Sequence, residues 1–300
     1  MHQTADRPKT RFRAPDQTKA VLWEVYHKHF VTNEDLYRLL VPHHKDGNER
    51  DSAERSIRAI TDRLYKRGML ERQQVKMNDW QFPFVYYMAP EGYRICLDRM
   101  NLGDGRDSFN HEKTTDGLYH DHKLTEFHID LEQAGADIAF WEQRGSVIYQ
   151  PLKKGDRHDR RTAREPNADV FFGVRRPDGS VTFSYYEEER TRQGGYENKN
   201  DGEVGESDQA RKVERYVEYR ESGEYSAKWQ ELGTTVEDFY SRWCFKTEAR
   251  MMNFLRRVSK NYPTRFFQAT FEAARRADPL GEIWATPKDF QEGVKYSLLD

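Results

Sequence analysis

The feature that most constrains this chain is a change of hydrophobic period at Gly68. Before it, Ile57, Ile60 and Leu64 recur at the spacing of one helix face. After it, Leu70–Val75 reads as a strand, Met77–Gln81 as a turn and Phe82–Met88 as the returning strand. Glycine suits the junction, because it takes the left-handed backbone that ends helices. Upstream, Val21, Leu22, Val25 and Phe30 form a helical stripe that starts at Thr18. Thr32 then stands as an N-cap with Asp35 three residues on, a relative of the capping box. Leu36, Leu39 and Leu40 give that helix its apolar face, and Pro42 closes it. A polar loop from His43 to Arg50 leads to a third helix that opens at Asp51 or Ser52. Ala89-Pro90-Glu91-Gly92 ends the hairpin, and Tyr93–Met100 forms a short trailing helix.

Three helices, a hairpin and a trailing helix are the order of a winged helix-turn-helix. The run RAITDRLYKRGMLERQQ, with the later FVYYMAPEGYRICL, is similar to that class over residues 18–100. At about 100° per residue, the side of the third helix opposite Ile57, Ile60 and Leu64 carries Arg55, Ala59, Asp62 and Lys66. Arg58 and Arg63 sit on its shoulders. Guanidinium forks on such a face match guanine edges in a major groove, and ammonium groups meet phosphates. Arg72 and Lys76 fall on the wing, near the backbone or the minor groove. The plainer alternatives are a solvated helix face or a protein contact.

A formal net charge of −2 does not announce nucleic acid, but binding depends on a local basic face rather than on the sum. Arg55, Arg58, Arg63, Lys66, Arg67 and Arg72 are concentrated in one region, whereas Glu187–Glu224 is mainly acidic. Residues 1–17 read as a polar, basic flexible arm and 101–117, with Gly103 and Gly105, as a linker. The two cysteines, Cys96 and Cys244, cannot form a zinc site alone and read as small core residues in a reducing compartment. No apolar run approaches the roughly 20 residues of a membrane span, and no secretory leader precedes Pro15, so a cytoplasmic protein without a membrane partner is expected.

The second half alternates helices and strands. His120–Ala134 reads as helical. Trp141–Gln143, Val147–Tyr149, Val170–Val174 and Val181–Tyr186 read as strands, the last two joined by the turn Arg176-Pro177-Asp178-Gly179. Lys153–Arg164 reads as a charged loop and Arg192–Gly205 as a mobile one. Gln209–Arg220 and Thr247–Lys260 read as helices. Phe239–Phe245, Phe266–Thr270 and Glu282–Ala285 read as strands, with Trp284 and Leu280 packing the last. The fold class expected is α/β, or α+β taken as a whole: a winged helix over 18–100, then an α/β sandwich with a mixed sheet over 118–290 and a polar tail over 291–300. Among His120, His122 and His128, no metal-protease spacing appears, and His122 reads as a packing residue.

Several short pieces of the second half occur in a telling order. They are HKL at His122–Leu124, PNADVFF at Pro166–Phe172, YYEEERT at Tyr185–Thr191, KVERY at Lys212–Tyr216 and FKTEARMMNFLRRV, followed by DPLGEIWATP at Asp278–Pro287. With the N-terminal pattern, they resemble the plasmid replication-relaxation family, which includes mobilisation accessory proteins. The resemblance implies a second domain of PD-(D/E)xK nuclease type. There, two carboxylates at the ends of adjacent strands hold a divalent cation, and a lysine two residues after the second positions water. Here Asn167 stands where the first acid belongs and Asp169 follows two residues later. Glu187 is the second acid, and Glu189 occupies the lysine position. The candidate catalytic set is therefore Asp169, Glu187, Glu189 and Lys212, with Lys212 the only obvious replacement cation. Asp169, Glu187 and Glu189 are the candidate ligands for Mg2+ or Mn2+, and Glu126 is a further acid that could join them.

The two departures imply weak or lost cleavage. The expected function is DNA binding in a mobile genetic element, in plasmid replication or relaxation, mobilisation or their control. The expected partners are double-stranded DNA, relaxase or replication proteins, and a second copy in a homodimer. An active metal-dependent endonuclease and a winged-helix transcriptional regulator are the rivals.

Overall fold

The computed structural model describes residues 14–41, 47–77, 80–100, 115–143, 166, 168–189, 201–226 and 238–299. Asn167, Val147–Tyr149, Lys153–Arg164, the Gly103–Gly105 linker region and the N-terminal arm before Ala14 lie outside them. The described residues fall into two compact units, the first closing at Gln133 and the second opening at Ala134.

The first unit contains α1 (Ala14–Lys28), α2 (Asn33–Leu40), α3 (Gly47–Lys66), the antiparallel strands β1 (Leu70–Met77) and β2 (Trp80–Met88), α4 (Pro90–Met100) and α5 (Thr115–Gln133). The cap expected at Thr32 is present in full. Thr32 Oγ1 accepts from the Asp35 amide at 3.2 Å, and Asp35 Oδ2 accepts from the Thr32 amide at 2.8 Å. Val31 and Tyr86 exchange two backbone hydrogen bonds, which tie the α1–α2 turn to β2. Gly68 ends α3 in left-handed backbone, φ 68°. The apolar stripes converge as their spacing requires: Val21, Val25, Leu36, Ile57, Ile60, Leu64, Leu70, Met88 and Cys96 are all buried in one core. Each large aliphatic side chain removed from water there is worth about 1.5–3 kcal/mol.

Two boundaries differ from expectation in this unit. Helix α3 opens at Gly47, within the expected polar loop, because that first turn is solvent-exposed and needs no apolar stripe. The strands run past the expected turn positions Met77 and Gln81, with a register shift between Gln74 and Lys76.

The larger correction concerns α5. It belongs to the first unit, although the sequence boundary at 118 assigned it to the second. Long-range polar contacts fasten it. His122 Nε2 meets Asp35 Oδ2 at 2.7 Å, Lys28 Nζ meets Glu132 at 2.7 Å, and Arg38 pairs with Asp130 at 2.6 Å. Thr125 Oγ1 donates to the Lys28 carbonyl at 2.8 Å. Leu118 packs with Phe30, Val85 and Tyr87. Such pairs leave no local periodicity, so composition alone misplaced the border.

The second unit is a mixed seven-stranded sheet, so the fold class is α/β as expected. Its order is β3 (Asp137–Gln143), β4 (Val170–Arg175), β5 (Val181–Glu188), β6 (Tyr240–Phe245), β7 (Phe267–Phe271), β8 (Trp284–Ala285), β9 (Lys295–Tyr296). Strands β5, β6 and β7 run parallel, and the flanking pairs are antiparallel. Between β5 and β6 comes α6 (Asp201–Ser222), and between β6 and β7 comes α7 (Glu248–Asn261). These helices pack Val213, Tyr216, Tyr219, Met251, Phe254 and Leu255 against Phe171, Phe183, Tyr185, Trp243 and Phe267. Gly173 leaves room for the Phe140 ring, whose nearest atom lies 2.4 Å from where a Cβ would stand. After β7 comes a short helix, α8 (Glu272–Ala277), which carries the fully buried Arg275.

Helix α6 begins at Asp201, inside the stretch expected as a loop to Gly205. The expected tail 291–300 is also corrected. It supplies β9, and the Leu298 carbonyl accepts from the buried Arg242 guanidinium at 2.9 Å. No described helix is long and apolar enough to cross a membrane.

The Asp35–His122 pair makes stability depend on pH. Burial, the largest single effect, disfavours charge on both groups, but their mutual attraction and hydrogen bond, with the Thr32 bonds to Asp35 and Glu126 near His122, together outweigh it. The imidazole is held above its ordinary 6.5 and the carboxyl below its ordinary 3.8. The pair therefore contributes fully between pH 3.8 and 6.5 and fades as pH rises through the raised His122 value. His128 makes the opposite demand: burial first, then Lys28, hold it well below its ordinary value. The informative quantity is thus a difference. His122→Gln is expected to lower stability by about 1–3 kcal/mol in that window, and the gap to wild type should narrow above pH 6.5 in thermal melts followed by circular dichroism.

Candidate functional sites

The outer face of α3 is exposed at Arg55, Ala59 and Lys66, opposite the buried Ile57, Ile60 and Leu64, with the exposed Arg58 and Arg63 on its shoulders and the exposed Arg67 just past its end. Its N-terminal half is partly neutralised. Arg55 Nε donates to the Asp51 carbonyl at 3.2 Å, and Glu54 lies 3.1 Å from Arg50 and 3.7 Å from Arg58. The basic end is the last turn, with Arg63 and Lys66, followed by Arg67.

Asp62 and Arg72, expected as separate DNA contacts, are joined to each other at 2.8 Å. The Arg72 guanidinium also lies over the Tyr65 ring at 4.3 Å and the Phe84 ring at 4.5 Å. A phosphate contact by Arg72 would compete with that pair. Lys76 lies on β1 opposite Gln81, and its side chain is outside the described residues.

In the second unit, the strand ladder brings two of the expected acids together. Val170 faces Tyr186, and the Asp169 amide donates to the Tyr186 carbonyl at 3.1 Å, which sets Asp169 beside Glu187. Glu187 is 3% exposed. From α6, Lys212 donates to its Oε2, and Tyr216, one helical turn on, donates to Oε1 at 2.5 Å. Burial chiefly, and then Asp169, push the Glu187 carboxyl up to about 8, against the pull of Lys212 and Tyr216. Burial also holds the Tyr216 hydroxyl well above its ordinary value, so it remains a donor. Asp169 Oδ2 accepts from the Glu188 amide at 2.9 Å.

Glu189 does not join this group. Its carboxylate accepts from Arg250 at 2.9 Å and from the Lys246 amide at 3.1 Å, at the start of α7. Glu188 faces the other side of the sheet, where Tyr186 donates to it at 2.5 Å and Arg275 lies 3.4 Å away. Glu126 belongs to the first unit and pairs with Lys123 at 2.9 Å. Among the described residues, no three His, Cys, Asp or Glu side chains are placed to hold a metal ion. The fit to Mg2+ or Mn2+ therefore stops at two carboxylates, Asp169 and Glu187, with Lys212 and Tyr216 already on the second. A cation held there would supply Lewis acidity toward a phosphate oxygen. Tyr216 was missed in the sequence, although KVERY places it four residues after Lys212, on the same helix face.

Comparison of the chain with protein-family models, with curated proteins and with solved structures finds no match.

Lys212→Ala removes the cation from a buried carboxylate. It is expected to cost about 1–3 kcal/mol, less than for a fully buried pair because Lys212 is 31% exposed. Adding Glu187→Gln should recover part of that loss, as measured by urea denaturation. Equal stability of wild type and Lys212→Ala would show that the pair contributes nothing.

Proposed function

We propose that the first unit is a winged helix that binds double-stranded DNA through α3, and that the chain is a DNA-binding protein of a mobile genetic element. The roles that suit it are plasmid replication or relaxation, mobilisation, or their control. The observation that carries this reading is the exposed basic side of α3 directly before an antiparallel hairpin. A helix whose far side is locked into a core presents its outer side chains at fixed spacing, which groove recognition requires. The short pieces shared with the replication-relaxation family support the biological context. Relaxase or replication proteins, and a second copy of the chain, are the partners proposed.

The basic face has a direct test. Arg55→Ala with Arg58→Ala is expected to weaken binding to a preferred duplex roughly ten-fold or more. Lys66→Ala should instead flatten the dependence of log K on log salt by about one unit. Fluorescence anisotropy at several salt concentrations reads both. Unchanged affinity and slope after all three substitutions would remove α3 from the interface.

A second reading, a metal-dependent endonuclease, draws on one specific observation: Lys212 reaches Glu187 from α6, beside Asp169. That restores a cation next to two acids without the lysine that Glu189 displaces. Against it, both Glu187 oxygens are already occupied by protein donors, and Glu189 is committed to Arg250. We therefore infer a nuclease-like domain that binds DNA or protein without cutting. Supercoiled plasmid with Mg2+ or Mn2+ should show no nicking above background. Robust nicking abolished by Glu187→Ala would favour the endonuclease.

A further inference from the structure

Three described large hydrophobic residues are conspicuously exposed: Tyr65 at 40%, Phe84 at 39% and Val294 at 40%. The first two lie in one place. Tyr65 is in the last turn of α3. Phe84 is on β2, diagonal to Arg72 on the same face of the hairpin, since Arg72 faces Tyr86 and Gln74 faces Phe84. The Arg72 guanidinium lies over both rings, at 4.3 and 4.5 Å, and is held from the side by Asp62 at 2.8 Å. The result is a fixed aromatic–guanidinium–aromatic stack at the surface, on the side of α3 that also carries the exposed Arg58, seven residues before Tyr65.

We propose that this stack receives an unpaired base, so that the first unit recognises duplex DNA next to a single-stranded segment. The inference rests on the DNA-binding reading of α3 and names its ligand more narrowly. Inside a duplex both faces of each base are covered by neighbours, so exposed protein rings find a base face only where stacking ends. Aromatic and guanidinium planes are the groups that hold such bases, whatever their sequence. A stack that served only to brace the hairpin would gain by burying its rings, yet both remain about two-fifths exposed. Charge agrees: Arg72 neutralises Asp62, the acidic partner of the stack, while the exposed Arg58 on the same side of α3 attracts the backbone.

The test compares a short mixed-sequence duplex with blunt ends and the same duplex carrying a single-stranded extension of about six nucleotides. Wild-type protein is expected to bind the extended probe about ten-fold more tightly by anisotropy. Tyr65→Leu with Phe84→Leu keeps an apolar neighbour for Arg72 but removes both rings. It should lose that preference while holding blunt-duplex affinity within about two-fold, and Tyr65→Phe should keep the preference. 2-Aminopurine in the extension gives a readout that needs no variant: its fluorescence should fall when wild-type protein is added. Equal affinity of wild type for the two probes, a preference that survives the double substitution, or unchanged 2-aminopurine emission would overturn the inference while leaving duplex binding intact. A change in sedimenting mass on the double substitution, with no change in DNA preference, would assign the stack to chain–chain contact and also overturn it. Failure to bind either probe would overturn the DNA-binding reading itself.

Discussion

The buried carboxylate of Asp35 is the constraint on which the first unit turns. It closes the cap of α2 through the Thr32 amide and hydroxyl, and it receives His122 from α5, 87 residues further along the chain. An ionised carboxyl withdrawn from water is tolerable only when its lone pairs are filled, and here a helix start and a distant imidazole fill them together. Because α2 precedes α3 and shares its core, the same carboxylate sets where the basic helix stands. Arg38 and Lys28 extend the arrangement along α5 with Asp130, Gln133 and Glu132. Helix α3 itself meets α2 through aliphatic packing and the Thr61 hydroxyl, which donates to Asn33 Oδ1 at 2.9 Å.

The second unit repeats the device in a different setting. Glu187 lies near the end of β5 among aromatic side chains, and α6 lays Lys212 and Tyr216 on it. In each unit a carboxylate from one element is satisfied by side chains of a distant helix, so the polar group specifies which surfaces meet. Apolar contact alone is less selective, since many packings bury similar area. The cost is that such a site is occupied by its own protein donors. That separates the Asp169–Glu187 pair from a cation site whose oxygens face an open cleft.

Much of this was legible in the sequence where the signal is local. The Thr32–Asp35 cap, the Gly68 stop, the Ile57–Ile60–Leu64 stripe and the Arg176–Gly179 turn each depend on residues within a few positions of one another. What escaped depends on distance. Nothing local announces that His122 meets Asp35 or that Glu189 turns to Arg250, and polar pairs do not repeat along a helix as leucines do. The site was half legible for the same reason. Strand pairing puts Asp169 beside Glu187 and could be anticipated, whereas the approach of Tyr216 required the path of α6. The last ten residues misled through composition, because the two-residue strand β9 is mostly polar and carries no apolar run to be seen.

The buried Arg242 has a consequence for how the molecule is made. Its guanidinium lies wholly inside the second unit, bonded to Ser184 from β5, Gln268 from β7 and the carbonyl of Leu298. During synthesis on the ribosome, the described residues of the first unit are all available once Gln133 has emerged. A central strand of the second unit holds a charge whose last partner, the Leu298 carbonyl, comes 56 residues further along the chain. Between those moments the nascent chain carries a finished domain followed by one that cannot close its polar core. That interval, set by a single arginine, is when the second half is most open to chaperones and proteases.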